Sequence, residues 1–167
     1  MADIDEIDRR LWEAFTDSSR MVTRHVDREL RAELGVISDD VVILEGVLAA
    51  DPDGARMSDL AHRLAAEPRH ATYRIARLEE RGLIARQADT DDGRVTRVHV
   101  TADTGAFFAL CRARLDELIA LYLTDLVPFG ERRDLVNLLT GVVDGYRHHF
   151  ATPASDHPDD PDTKEHP

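Results

Sequence analysis

Apolar residues recur every three or four positions at Ile4, Ile7, Leu11 and Phe15 and again at Val22, Val26 and Leu30, with Ser18 and Ser19 as the one break. This spacing predicts a single amphipathic helix from Asp3 to about Leu34, ended by Gly35. Such a helix is long for a globular protein, so its apolar stripe is expected to pack against more than its own domain. Ser38 is placed to cap a second helix carrying Val41, Val42, Ile43, Leu44, Val47 and Leu48, which the turn Asp51-Pro52-Asp53-Gly54 ends. A short helix is expected after Ser58, also read as an N-cap, burying Leu60, Ala61 and Leu64.

The break Ala65-Ala66-Glu67-Pro68 places a proline at the first position of the next helix, which runs to Arg81 and stops at Gly82. Its inner face is Ala71, Ile75 and Leu78; its expected outer face is Arg69, His70, Tyr73, Arg74 and Arg77, with Thr72 at the margin. After Gly82 the period changes to two. Leu83 to Gln87 reads as a strand, Asp89 to Gly93 as a turn and Arg94 to Val100 as the returning strand. Helical spacing then resumes from Phe107 to Leu126, breaks at Pro128 to Gly130, and returns from Leu135 to Phe150. Both closing helices are too apolar to be single surface helices. Residues 151–167, with four of the seven prolines and five acids, have nothing to bury and are expected to be disordered.

The fold class that emerges is mainly α with a small β-hairpin wing. A chain of 167 residues, 43% of them hydrophobic, can bury one core alone or one interleaved with a partner chain, which excludes a large multidomain enzyme. The net charge of −12 argues against a polyanionic partner if taken as a single number. By segment it does not: residues 56–101 hold nine Arg against seven acids, leaving 12 bases against 26 acids elsewhere. Of the 21 basic residues only Lys164 is not Arg. The guanidinium fork suits phosphate and guanine edges; codon bias in a GC-rich genome is an alternative source of the excess. The single cysteine, Cys111, permits no internal disulfide and fits a reducing cytosol. The acidic N-terminus lacks a signal core, and no stretch approaches the ~18 apolar residues of a membrane span, so the chain is expected to be cytoplasmic with no membrane partner.

The order helix, turn, helix, hairpin is the arrangement that places a second helix in the DNA major groove and a hairpin beside the adjacent backbone or minor groove. The outer face of the 68–81 helix carries donors for phosphate or base edges and no acid from Pro68 to Leu78. Double-stranded DNA is therefore the expected partner, contacted by Arg69, His70, Thr72, Tyr73, Arg74 and Arg77. Arg94, just past the hairpin turn, is expected at the minor groove or a phosphate, and Asp92 is expected to shape the wing by pairing with it.

Met57-Ser58-Asp59-Leu60-Ala61, Thr72, the run Arg77 to Ile84, Asp92-Gly93-Arg94, Val100-Thr101 and Gly105 closely resemble the MarR family of winged helix-turn-helix repressors. The combined spacing carries the resemblance, which extends from residue 4 to residue 150. It implies a homodimer in which residues 1–37 and 102–150 form an intertwined helical dimerisation region, with residues 38–101 as the DNA-binding lobe. It further implies a near-palindromic operator at the chain's own or a neighbouring operon, and release by a small, often phenolic or aromatic, ligand. By position, Thr72, Tyr73, Arg74 and Arg77 match the family's recognition helix, and Asp92 with Arg94 matches its D-x-R wing. Tyr73 stands where the family commonly has Arg, and Glu67 and His70 where it often has Ser or Thr.

No nucleophile elbow, phosphate-cradling glycine loop or acid pair of compelling context is present, so no catalytic residue and no cofactor is expected. The eight histidines form no ligand cluster by spacing, although zinc-sensing relatives exist and a site assembled across elements stays open. Peroxide-sensing relatives carry their cysteine near the start of the first helix, where this chain has none; Cys111 reads as a buried core thiol. Trp12 and Phe15 read as dimer core, and a ligand pocket is not assigned. The acidic total and Tyr73 leave a second reading, a winged-helix dimer that acts on another protein without operator binding; a third is a ligand-independent or metal-responsive regulator.

Overall fold

A computed structural model describes residues 4–90 and 92–150. The predicted acidic tail lies outside the described residues. The described chain runs α1 (Glu6–Leu34), α2 (Ser38–Ala49), β1 (Ala55–Arg56), α3 (Met57–Arg63), α4 (Pro68–Glu80), β2 (Ile84–Ala88), β3 (Thr96–Val100), α5 (Thr104–Tyr122) and α6 (Arg132–Phe150), with 3-10 turns at Thr124–Leu126 and Phe129–Glu131. It divides into two compact units, Met1–Leu126 and Val127–Pro167. No described helix is long and apolar enough to cross a membrane.

Helix α1 starts at Glu6 because Asp5 and Asp8 cap each other's backbone N–H groups, at 2.9 and 3.1 Å. It ends where Gly35 adopts φ 69°, a left-handed conformation that costs glycine little. The last carbonyls of the helix do not go unpaired: the Arg81 guanidinium donates to Leu34 O at 3.0 Å and Gly35 O at 3.1 Å, and lies over the Phe107 ring.

Two expected caps are corrected. Ser38 is the first residue of α2 rather than its cap; Asp40 reaches back to accept from Ile37 N, while the Ser38 N–H and hydroxyl donate to Asp27 of α1 at 2.9 and 2.7 Å. Ser58 lies inside α3, which starts directly from strand β1 with Arg56 as an N-cap that makes no side-chain bond. The expected two-stranded hairpin is in fact part of a three-stranded antiparallel sheet of order β1-β3-β2. Ala55 pairs with Val98 and Arg56 with Arg97, and on the other side Ile84 pairs with Val100 and Arg86 with Val98.

The core of this unit is contributed by every layer: Leu30 of α1, Ile43 and Leu44 of α2, Leu60 of α3, Ile75 and Leu78 of α4, Ile84 and Val98 of the sheet, and Cys111 and Leu118 of α5. Each such aliphatic side chain contributes about 1.5–3 kcal/mol of transfer free energy. Thr104 is buried at the head of α5; its hydroxyl donates to Leu83 O at 2.6 Å, and Thr101 Oγ1 donates to Gly82 O at 2.8 Å, so the end of α4 is tied to the end of the sheet. Helix α5 stops at Tyr122, four residues before the expected Leu126, which falls in a 3-10 turn.

The N-terminal part of α1 leaves Ile7, Leu11, Trp12 and Phe15 exposed, whereas its C-terminal part buries Val26 and Leu30. Taken by itself, α6 carries Leu138, Leu139, Val142, Val143 and Tyr146 at three- and four-residue spacing, all exposed.

Candidate nucleic-acid interface

Helix α4 is fixed to the lobe by Ala71, Ile75 and Leu78, each 1% exposed or less. Pro68 occupies its first turn, where the missing N–H costs no hydrogen bond. Glu67 makes no side-chain cap; its carboxylate instead meets Arg69 Nε at 2.6 Å in a fully hydrated pair. Arg69, Thr72, Tyr73 and Arg77 all face solvent. Their spacing of three, one and four residues puts them along one side of the helix. Thr72 Oγ1 donates to Pro68 O at 2.9 Å, and Arg77 Nη1 makes a long 3.5 Å contact to the Tyr73 hydroxyl, which raises the Arg77 pKa above its ordinary value and keeps the charge fixed.

Arg74 departs from the expected outer face. Its side chain is only 11% exposed, and it grips the buried carboxylate of Asp40 with two hydrogen bonds, Nε to Oδ1 at 2.8 Å and Nη2 to Oδ2. The reason lies in the helical period: positions 71, 74, 75 and 78 form one i, i+3, i+4, i+7 stripe, so Arg74 belongs to the side that packs on the lobe. His70, one turn earlier, sits at the edge, with Nε2 2.9 Å from Asp39 Oδ2.

In the wing, Asp92 does not pair with the Arg94 side chain. Its carboxylate accepts from the Arg94 backbone N–H at 3.0 Å, and its carbonyl from Val95 N at 2.8 Å, so it shapes the turn through the backbone. The Arg94 guanidinium is exposed and forms no ion pair with any described residue. Two residues that sequence reasoning missed carry the wing's root: the Asp89 side chain, 8% exposed, pairs with Arg97, whose Nη1 also donates to Gly54 O at 3.1 Å. An Arg in the middle of a predicted strand, as Arg97 is, was the available signal for a counter-charge.

The nine arginines of residues 56–101 therefore differ in what they can offer an anion. Arg63 meets Glu45, Arg69 Glu67, Arg74 Asp40, Arg86 Glu79 and Arg97 Asp89, while Arg81 caps α1. The Glu79 carboxyl is held below its ordinary pKa by the hydrogen bond from Arg86. Among the described residues, Arg56, Arg77 and Arg94 have no acidic partner. Arg69 is close to free as well, since an exposed pair is worth ~1 kcal/mol or less and exchanges readily for a phosphate.

Cys111 is fully buried, and burial pushes its thiol up to about 11. Trp12 and Phe15 are 67% and 43% exposed. No group of three His, Cys, Asp or Glu side chains able to hold a metal occurs among the described residues.

Residues 48–96, from the end of α2 to the start of β3, match the model of the MarR family. No curated protein sequence matches the chain significantly. Among solved structures, the MarR family transcriptional regulator AbsC from Streptomyces coelicolor superimposes with a TM-score of 0.76 at 19% identity, over 89% of this chain and 99% of that one. Sco3205, a MarR family transcriptional regulator from the same organism solved in complex with DNA, gives 0.78 at 18% identity over 88% and 92%. CouR from Rhodococcus jostii RHA1, bound to p-coumaroyl-CoA, gives 0.65 at 21% identity over 90% and 96%. At these identities the likeness is one of fold. The chain has the winged-helix fold of MarR-family transcriptional regulators, and its lobe carries that family's sequence pattern, as the motifs from Met57 to Gly105 had implied.

Proposed function

We propose that this chain is a dimeric DNA-binding transcriptional regulator, acting in the cytoplasm as a repressor of its own or a neighbouring operon. The observation that carries the reading is the pairing of two exposed cationic elements: the solvent face of α4 with Arg69, Thr72, Tyr73 and Arg77, and the wing with an exposed Arg94 that has no ion-pair partner among the described residues. A helix of this kind fits the B-form major groove, and the wing arginine reaches the neighbouring backbone or minor groove. The exposed His70 lies at the edge of that face with Nε2 on Asp39, and is assigned to holding the helix rather than to a DNA contact. The exposed apolar stripes of α1 and α6 support a homodimer, because a monomer would leave Leu11, Phe15, Leu138 and Val142 in water. Two lobes related by a dyad read a near-palindromic operator. The complex of CouR with an aromatic thioester supports a small aromatic effector that relieves repression.

The test is binding to DNA from the chain's own upstream region at one stated salt concentration. Arg77→Ala and Arg94→Ala are each expected to weaken binding by about 1–3 kcal/mol, or roughly 5- to 150-fold. No binding by the wild type, or unchanged affinity in both variants, refutes the reading.

A further inference from the structure

Resting on the DNA-binding reading above, we propose that Arg74 is a positioning residue rather than a DNA contact, and that it acts through Asp40 to set the pose of α4. Three observations carry this. Asp40 is 1% exposed and Arg74 11%, so the Nε–Nη2 edge of the guanidinium is committed to Asp40 and most of the group is withdrawn from solvent while the pair is intact. The pair is bidentate, which fixes orientation as well as distance. Asp40 is also held at its other end, since the same carboxylate accepts from Ile37 N at 2.9 Å and so belongs to the start of α2.

The neighbouring tie completes a bracket. Asp39 and Asp40 are adjacent on α2, and they meet His70 and Arg74, which lie one turn apart on α4. The buried Ala71, Ile75 and Leu78 hold α4 on the lobe, and two polar ties one turn apart add resistance to small changes of roll and tilt. Roll matters because Arg69, Thr72, Tyr73 and Arg77 lie on one line. A small rotation moves all of them off the base edges together, while their charges stay near the phosphates. Loss of the bracket should therefore cost sequence-specific binding and spare non-specific binding.

The experiment uses the full chain and a duplex that the wild type selects from a random pool, with a scrambled duplex as the non-specific probe. Arg74→Met alone leaves Asp40 buried without its partner, so the double variant Asp40→Asn with Arg74→Met is included to remove both charges and preserve folding, checked by circular dichroism. The double variant is expected to bind the selected duplex about tenfold or more weakly, to bind the scrambled duplex as the wild type does, and to keep the wild-type slope of log affinity against log salt. Arg74→Lys, which retains the charge toward Asp40, is expected to recover much of the loss. Arg77→Ala is the contrast, with a slope reduced by about one. A slope reduced by about one in the double variant makes Arg74 a phosphate contact and overturns the inference, as does an unchanged affinity for the selected duplex. If the wild type selects no duplex, the DNA-binding reading fails and the inference falls with it.

Discussion

Gly54 sits where the wing is rooted, and replacing it by alanine separates two costs that the structure makes distinct. Its φ of 76° is left-handed, which for an L side chain costs about 1–2 kcal/mol. A Cβ built there would lie 2.5 Å from Cε1 and 2.7 Å from Nε2 of His99, so the imidazole must leave its place. His99 is half-buried on β3, beside the Val98–Ala55 pairing, and displacing it adds an overpacking cost of about 1–3 kcal/mol. Gly54→Ala is therefore expected to destabilise the chain by about 2–5 kcal/mol, a large part of a typical domain's total stability. In a His99→Ala background the steric cost vanishes and only the backbone cost of about 1–2 kcal/mol should remain. Urea unfolding of the four proteins of this cycle measures both. A cost that is the same with and without His99 would show that the contact is not what excludes a side chain, and would refute the reasoning.

Asp27→Ala removes the acceptor of both the Ser38 N–H and hydroxyl, and is expected to cost about 1–3 kcal/mol in urea unfolding, since the amide lies partly buried at the α1–α2 junction. Cys111 should be inert to thiol reagents in the native state and react at once when unfolded. Because its pKa is raised from 9.0 to about 11, the folded state holds its proton longer than the unfolded one; the associated stability is fully present below pH 9 and is lost as pH rises through 11. The stability gap between wild type and Cys111→Ala, followed by urea unfolding from pH 8 to 11, should accordingly narrow by about 1–3 kcal/mol. Leu11→Asp places a charge in the exposed α1 stripe and should convert a dimer to a monomer in sedimentation without loss of helix content; a monomeric wild type would remove the basis for that expectation.

The elements legible in the sequence were those whose signals are local. The apolar spacing of α4, its opening proline and Gly82 placed that helix to within a residue, because period and termini are properties of neighbouring positions. Strand β1 escaped because two residues carry no period; Ala55 and Arg56 become a strand only by pairing with Val98 and Arg97, more than 40 positions later. The Ser38 cap failed for the same reason, since Asp27, 11 residues earlier, takes both its N–H and its hydroxyl; the Ser58 cap failed because α3 already starts at Met57, directly after β1. Arg74 is the most instructive case. Its charge suggested solvent, yet its position three after Ala71 and one before Ile75 lay on the buried stripe, and only the fold supplies Asp40, 34 residues away, to make that burial tolerable. The local excess of arginine was visible in the composition, but the pairings that leave Arg56, Arg77 and Arg94 without acidic partners among the described residues were not.

The most direct test of the central claim, that the α4 face and the wing form a DNA-reading surface, is a hydroxyl-radical footprint of the full chain on a duplex selected from a random pool. Two protected patches about one helical turn, roughly 10 base pairs, apart are expected, with flanking minor-groove protection that disappears in Arg94→Ala. Uniform protection without register, or a footprint that Arg77→Ala and Arg94→Ala both leave intact, would contradict it.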